Sequence, residues 1–294
     1  MRRVNLDKHS PTIMVLPMVV VIAIFLMFLV YVLGLSVTNS TLAKPFNEFI
    51  GFANYSKAFK DDLFGKSVLL MLEFAFVVTT IETLLGFFFA WALHTELRAG
   101  RYLRTLALLP LFTPAVAVAM IWKLIYDPGS GLLNHYLLKW GIISEPIGFM
   151  GHPLWAMPGV MAADIWQWTP FCFILCLAAF QSLPYEPYEA AAVDGAGGWQ
   201  VFRRLTLPMV FPAVVIVFLF RLLISLKVFD LVFMLTYGGP GTSTQVASFY
   251  IYKVAFTTFK TGYGAAMTVL VFLLISIIAT VLTLGRKFYM SRGK

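Results

Sequence analysis

Residues 181–212 read QSLPYEPYEAAAVDGAGGWQVFRRLTLPMVFP, the longest weakly apolar stretch in the second half of a strongly apolar chain. Long apolar segments flank it on both sides. Residues 188–193 are a helix-forming run with Glu189 near its start, where a carboxylate complements the helix dipole. Asp194 follows, and Gly195, Gly197 and Gly198 supply a turn able to adopt positive φ. Residues 199–205 can form a second short helix. Leu207 and Pro208 then open the next apolar segment, in whose first turn the missing proline N–H costs nothing. The expected product is a helix-turn-helix at a membrane surface. Its small Ala190 and Ala191 can enter a groove closely, and Glu189 can pair with a basic residue there. An ordinary amphipathic loop between two helices is the alternative.

The membrane follows from composition. Of the 294 residues, 60% are hydrophobic and 12% charged, against about 25% charged in soluble domains. A span needs about 20 apolar residues. Six segments fit, at about 12–37, 67–94, 103–126, 153–180, 209–237 and 264–284. The expected fold is an all-α, single transmembrane domain over 1–294, with the loop at 181–208 between helices 4 and 5. Pro110 and Pro114 should kink the third span. The first apolar run exceeds a signal-peptide core, so it is read as a span.

Cys172 and Cys176 lie four apart on the fourth span and read as packing residues, with no disulfide scaffold or metal site. The net charge of +8 could suggest nucleic acid, but the basic residues gather at span ends, so no nucleic-acid partner is expected. Arg2, Arg3, Lys8, Arg98, Arg101, Arg104, Arg203, Arg204, Arg286, Lys287, Arg292 and Lys294 would lie on one side, twelve in all. Lys44, Lys57, Lys60, Lys66, Lys139, Lys253 and Lys260 would lie on the other, seven in all. The positive-inside rule then puts both termini and the 181–208 loop in the cytoplasm.

Nothing in the chain hydrolyses a nucleotide on this reading. Gly65-Lys66-Ser67 resembles the end of a phosphate-binding loop, but Lys60 stands where the motif needs its first glycine. No zinc pattern or Ser/His grouping occurs in the spans, and His94, His135 and His152 lie near span ends. No enzymatic activity is expected.

Ionisable groups inside spans cost about 2.5–3.5 kcal/mol each at a helix centre on insertion scales, so their presence needs a reason. Glu73 and Glu82 fall in the second span, Lys123 near the end of the third, Asp164 in the fourth, and Arg221, Lys227 and Asp230 in the fifth. Asp164, Gln167, Trp168 and Phe171 are spaced i, i+3, i+4, i+7 and share one helix face. Asp164 falls about 16 Å along its helix from Pro153, near mid-membrane. A carboxylate, an amide and an aromatic plane on one stripe suit a sugar, whose C–H face stacks and whose hydroxyls hydrogen-bond. Inter-helix adhesion with an interfacial tryptophan belt is the alternative. Lys227 and Asp230, three apart, can pair with each other.

Glu189-Ala190-Ala191, Asp194-Gly195 and Leu205-x-Leu207-Pro208 together resemble the EAA loop of ABC-importer permeases, with leucine at 205 where that family commonly has isoleucine. Phe52-Ala53-Asn54-Tyr55, Asp127-Pro128-Gly129, Gly131-Leu132-Leu133-Asn134 and Phe229-Asp230-Leu231 through Gly238-Gly239-Pro240 are similar to carbohydrate permeases of the maltose and glycerol-phosphate type. The Gly-Gly-Pro favours the maltose-F-like member of a permease pair. The large extra outside domain of the maltose protein is missing, so that substrate is not implied.

The resemblance implies a bacterial inner-membrane permease that imports a sugar, polyol or sugar phosphate by alternating access. It implies a second permease, two ATPase subunits holding ATP and magnesium, and an extracytoplasmic solute-binding protein as partners. Glu189, Ala190, Ala191, Asp194, Gly195, Leu207 and Pro208 would couple to the ATPases. Asp164, Gln167, Trp168, Phe171, Arg221, Lys227 and Asp230 would face solute. An ABC permease for amino acids, peptides or phosphate, and a secondary transporter using Glu82, Asp164 and Arg221, are the alternatives.

Overall fold

The computed structural model describes residues 10–94 and 100–291, and among them the chain is helical with no strand beyond an isolated Thr38–Phe49 bridge. Arg2, Arg3, Lys8, Arg98, Arg292 and Lys294, on which much of the orientation rests, lie outside the described residues. The helices are α1 (Ser10–Ser36), α2 (Ala53–Phe59), α3 (Asp62–Leu93), α4 (Gly100–Ala107), α5 (Ala115–Ile125), α6 (Leu132–Lys139), α7 (Pro153–Gln181) and α8 (Glu186–Val193). After the glycine turn come α9 (Gly198–Val201), α10 (Leu207–Ser225), α11 (Asp230–Leu235), α12 (Ala247–Tyr252) and α13 (Thr261–Ser291).

Five of these stretches are long and apolar enough to cross a membrane: Val15–Ser36, Asp62–Leu93, Pro153–Gln181, Gly198–Ser225 and Thr261–Gly285. The third expected span is not one helix. α4 passes into a 3-10 turn at Leu109–Phe112, Thr113 and Pro114 are extended, and α5 starts at Ala115. The cause is local. Pro114 disfavours helical backbone at Thr113, so two prolines break the helix rather than kink it.

The fifth span also differs from expectation. It begins at Gly198, not at 209, and runs without interruption to Ser225. Pro208 therefore lies inside a helix. The backbone accommodates it by widening to a π turn over Phe202–Thr206, in which the Leu207 N–H reaches the Phe202 carbonyl. At the other end the span stops at Ser225, and the expected 226–237 portion is a turn followed by α11.

Two compact units are distinguished. The first comprises the chain up to Phe64 with Ile251–Leu273. Asn54 is buried there, and its amide donates to the carbonyls of Ser36 and Thr38, each over 3.0 Å. The Tyr55 hydroxyl meets the Ser36 hydroxyl at 2.6 Å. A Cβ on Gly262 would come within 2.2 Å of the Thr38 carbonyl oxygen, so only glycine allows this approach. The Asn-Tyr pair singled out in the sequence is thus a stitch between chain segments.

The second unit comprises Gly65–Tyr250 with Leu274 onward. Its core is a set of buried apolar side chains from α3, α7 and α10, including Phe87, Ala90, Cys172, Phe173, Cys176 and Val217. Both cysteines are free and packed in this core. α3 and α7 touch at Gly86, where an added Cβ would stand 2.6 Å from the Phe173 backbone nitrogen. Small residues at such crossings let membrane helices approach closely.

The Asp127–Asn134 motif closes a connector. Asp127 accepts from the Gly129 and Ser130 amides at 3.0 and 2.7 Å, and these bonds hold its carboxyl below the usual range. Asn134 exchanges two 2.9 Å bonds with the Ile147 backbone.

Candidate solute site and coupling loop

Three helices of the second unit bring their buried charges to one point. Arg221 of α10 is 1% exposed and Glu82 of α3 is 0% exposed. Arg221 Nη2 donates to Glu82 Oε1 over 2.9 Å and also to Asp164 of α7. Arg221 Nε lies 2.5 Å from Glu82 Oε2, an ion contact rather than an aligned hydrogen bond. The guanidinium carbon stands 4.9 Å from the centre of the Trp168 ring. One cation is therefore held by two carboxylates and an aromatic face. Such pairing is what makes ionised groups tolerable away from water.

A cavity of about 330 Å³ opens beside this cluster, within the range of small-molecule sites, about 300–1,000 Å³. Asp164, Gln167, Trp168, Arg221, Lys227 and Asp230 all line it, with Ala115 at the start of α5. Six of the seven side chains expected to face solute thus share one cavity. Phe171 does not. Its ring packs edge-on to Trp168 at 5.9 Å and against the apolar core below. A residue seven positions along the helix has moved one turn deeper than the cavity floor.

Two further expectations change. Lys227 and Asp230 form no ion pair among the described residues; both are exposed, and the turn at Leu226–Phe229 separates them from a common helix face. Gln167 is committed in part to its neighbours, because its Nε2 donates over 3.0 Å to the Thr113 carbonyl at the break before α5. That carbonyl lost its helical partner when Pro114 interrupted the backbone. Glu82 was the residue left outside the expected site. Its signal was present, since an acidic residue in a long apolar segment demands a partner, but nothing in the spacing links it to Arg221.

The 181–208 stretch folds as a helix and a turn. α8 carries Glu186 and Glu189 in its first turn with Pro187 beside them. Asp194 ends it, and Gly195 takes φ +69°; Gly197 and Gly198 do not need positive φ. An added Cβ at Gly195 would meet nothing within 4 Å, so backbone conformation alone calls for glycine there. The second short helix expected over 199–205 is instead the beginning of the long Gly198–Ser225 helix.

The base of the loop is anchored and its tip is open. The Tyr188 hydroxyl meets the buried Thr206 hydroxyl at 3.1 Å, tying α8 to the π turn. Phe202 packs on Trp91 and Phe87 of α3. Glu189 and Ala190 are exposed, as are the apolar Val193 at 88% and Trp199 at 68%.

Comparison with known proteins agrees with this architecture. Residues 82–284 match the family described as binding-protein-dependent transport system inner membrane component. The trehalose/maltose transport system permease protein MalF of Thermococcus litoralis is 33% identical over 267 residues, covering 90% of this chain and 88% of the relative. A crystal structure of a bacterial ABC transporter for the acidic polysaccharide alginate superposes with a TM-score of 0.84 at 24% identity, over 96% of both chains. A second alginate transporter structure, in complex with an alginate pentasaccharide-bound periplasmic protein, gives 0.78 at 26% identity over 99% of this chain and 98% of the other. The chain belongs to the family of binding-protein-dependent inner-membrane transport components, the ABC-importer permeases.

Proposed function

We propose that this chain is one permease subunit of an ATP-driven importer that carries a sugar or sugar-like solute across the cell membrane. A periplasmic or otherwise extracytoplasmic binding protein delivers the solute. A second, different permease subunit completes the path, and two separate ATPase subunits hold ATP and magnesium. Both termini and α8 face the cytoplasm.

The observation that carries this reading is that α7 and α10, the helices that line the cavity, are also the two that flank the 181–208 loop. The loop of α8 joins them, and Asp164, Gln167, Trp168 and Arg221 on the same two helices line the cavity. A displacement of α8 by a closing ATPase would be transmitted along two packed helices to the cavity walls. That is the coupling an alternating-access importer needs. Glu189, Ala190, Ala191, Asp194 and Gly195 form the docking element, with Leu207 and Pro208 beyond the turn. The sugar assignment is supported by the cavity's chemistry, an indole plane beside hydrogen-bonding groups, and by the trehalose and maltose for which the Thermococcus litoralis relative is named.

The test is reconstitution of the assembled complex, with Glu189→Lys as the diagnostic variant. The wild type should show ATP-dependent uptake, and Glu189→Lys should lose ATPase subunits on purification through repulsion from a basic partner. Full retention of the ATPases with normal uptake would remove α8 from the coupling path. Uptake without any ATPase subunit would overturn the ATP-driven reading itself.

A further inference from the structure

The cavity beside the Arg221 cluster carries no surplus of positive charge. Asp164 and Asp230 line it together with Arg221 and Lys227, two groups of each sign, and Glu82 stands directly behind Arg221. Three acids therefore face two bases, and a proton taken up by one acid would bring the balance to zero, never above it. An arginine fork is the usual receptor for phosphate or carboxylate. Here that fork is occupied: Arg221 is 1% exposed, and its Nη2 and Nε are turned to Glu82 and Asp164. Lys227 is exposed and without an ion pair among the described residues, but Asp230, three positions on, is exposed to the same cavity. An anion drawn to the one is repelled by the other. A hydroxyl meets no such conflict, because it accepts from the ammonium and donates to the carboxylate. Gln167 adds a further acceptor. Its Nε2 is taken by the Thr113 carbonyl, which leaves Oε1, with no hydrogen bond among the described residues, for a donor in the cavity.

We propose that this cavity takes an uncharged polyhydroxy solute, a free sugar or polyol, and turns away sugar phosphates and sugar acids, with Asp230 as the residue that sets the preference. The inference rests on the importer reading above and narrows its solute by charge. Of the two carboxylates lining the cavity, Asp230 is the one that Arg221 does not hold, so its charge meets an incoming anion without an ion pair to offset it. Like charges brought together at a recognition site are strongly disfavoured. The groups left free, the Lys227 ammonium as donor and the Asp230 carboxylate and Gln167 Oε1 as acceptors, suit a solute whose every hydroxyl can donate. They do not suit ionised phosphate or carboxylate oxygens, which only accept.

The experiment is saturation-transfer NMR on the assembled complex in lipid nanodiscs, so that any charge the second permease adds is included. The probes are glucose, maltose and trehalose, each against the phosphate monoester of the same sugar, and variants are compared at equal recovery of the ATPases. A neutral probe should give a signal that Trp168→Ala abolishes, and its phosphate should bind about tenfold or more weakly, the equivalent of about 1.4 kcal/mol. Asp230→Asn, which keeps the shape and removes the charge, should narrow that gap severalfold, and Lys227→Gln should widen it. Equal or tighter binding of the phosphates by the wild type would overturn the selectivity, and a gap that Asp230→Asn leaves unchanged would overturn the role of Asp230. Either result leaves ATP-driven import of a sugar-like solute standing. No signal from any probe would remove sugar from this cavity and would overturn that wider reading as well.

Discussion

Arg221 Nη2 and Glu82 Oε1 are 2.9 Å apart although 139 residues separate them in sequence, and both side chains are sealed from solvent. With Asp164 on the same guanidinium, the contact joins α3, α7 and α10. Removing the cation would strand two carboxylates. Breaking a buried ion pair from one side costs about 3–5 kcal/mol in measured cases. Arg221→Leu should therefore give little assembled complex and a clearly lower melting temperature in detergent. Glu82→Gln leaves one carboxylate to one guanidinium and should cost less. The triple change Arg221→Leu, Glu82→Leu and Asp164→Asn should recover much of the stability lost in Arg221→Leu. An Arg221→Leu complex as stable as the wild type would show that the cluster does not hold the helices together.

Trp168 and Asp164 separate solute contact from structure. Both line the cavity and both meet Arg221, but Trp168 does so with a ring face and Asp164 through a buried ion pair, so loss of the carboxylate is the heavier blow to the cluster. Trp168→Ala should abolish uptake per assembled complex and leave basal ATP hydrolysis in place. Trp168→Phe should retain part of the uptake, since it keeps a smaller stacking plane. Asp164→Asn should act mainly on assembly, by weakening the hold on Arg221. Radiolabelled uptake normalised to purified complex distinguishes the two effects. Normal uptake per complex in Trp168→Ala would take the indole out of the solute path.

How far the sequence reaches is visible at these residues. The stripe from Asp164 to Trp168 was legible because helical spacing alone puts those positions on one face. Phe171 was assigned to the cavity by the same rule and lies below it, since periodicity gives a face but not the depth at which a cavity ends. The Thr113–Pro114 break followed from proline chemistry in kind but not in degree. The stop at Ser225 had no proline or glycine to announce it and depends on packing around the turn, where the Ser248 hydroxyl donates to the Val228 carbonyl. The meeting of Glu82 with Arg221 is a long-range fact, and a single sequence says only that each needs a partner.

Tyr188 and Thr206 offer a finer test of how the loop is held. Their 3.1 Å contact links α8 to the π turn that Pro208 imposes on the long helix. A hydrogen bond of this kind contributes about 0.5–1.5 kcal/mol. Tyr188→Phe removes the hydroxyl and keeps the ring that lines the cleft with His94 and Phe180. The complex should still assemble with its ATPases, while solute-stimulated ATP hydrolysis should fall several-fold as α8 loosens from the helix it drives. Unchanged stimulation would place the transmission elsewhere, along α7 or through the aromatic contacts of Phe202.

Gly195 separates conformation from bulk. Its φ of +69° lies in the left-handed region, and the space around its missing Cβ is open. An ordinary residue there costs about 1–2 kcal/mol from backbone strain alone, and a β-branched residue more. Asparagine visits this region with less penalty. Gly195→Asn should therefore couple nearly as the wild type does, Gly195→Ala should be weaker, and Gly195→Val weakest, although all three side chains begin in open space. The order follows because the turn sets the angle at which α8 leaves the Gly198–Ser225 helix. Coupling is read as solute-stimulated ATP hydrolysis per assembled complex. If Gly195→Asn were as damaging as Gly195→Val, size rather than φ would govern the position, and the surface over Gly195 would be one that a partner covers closely.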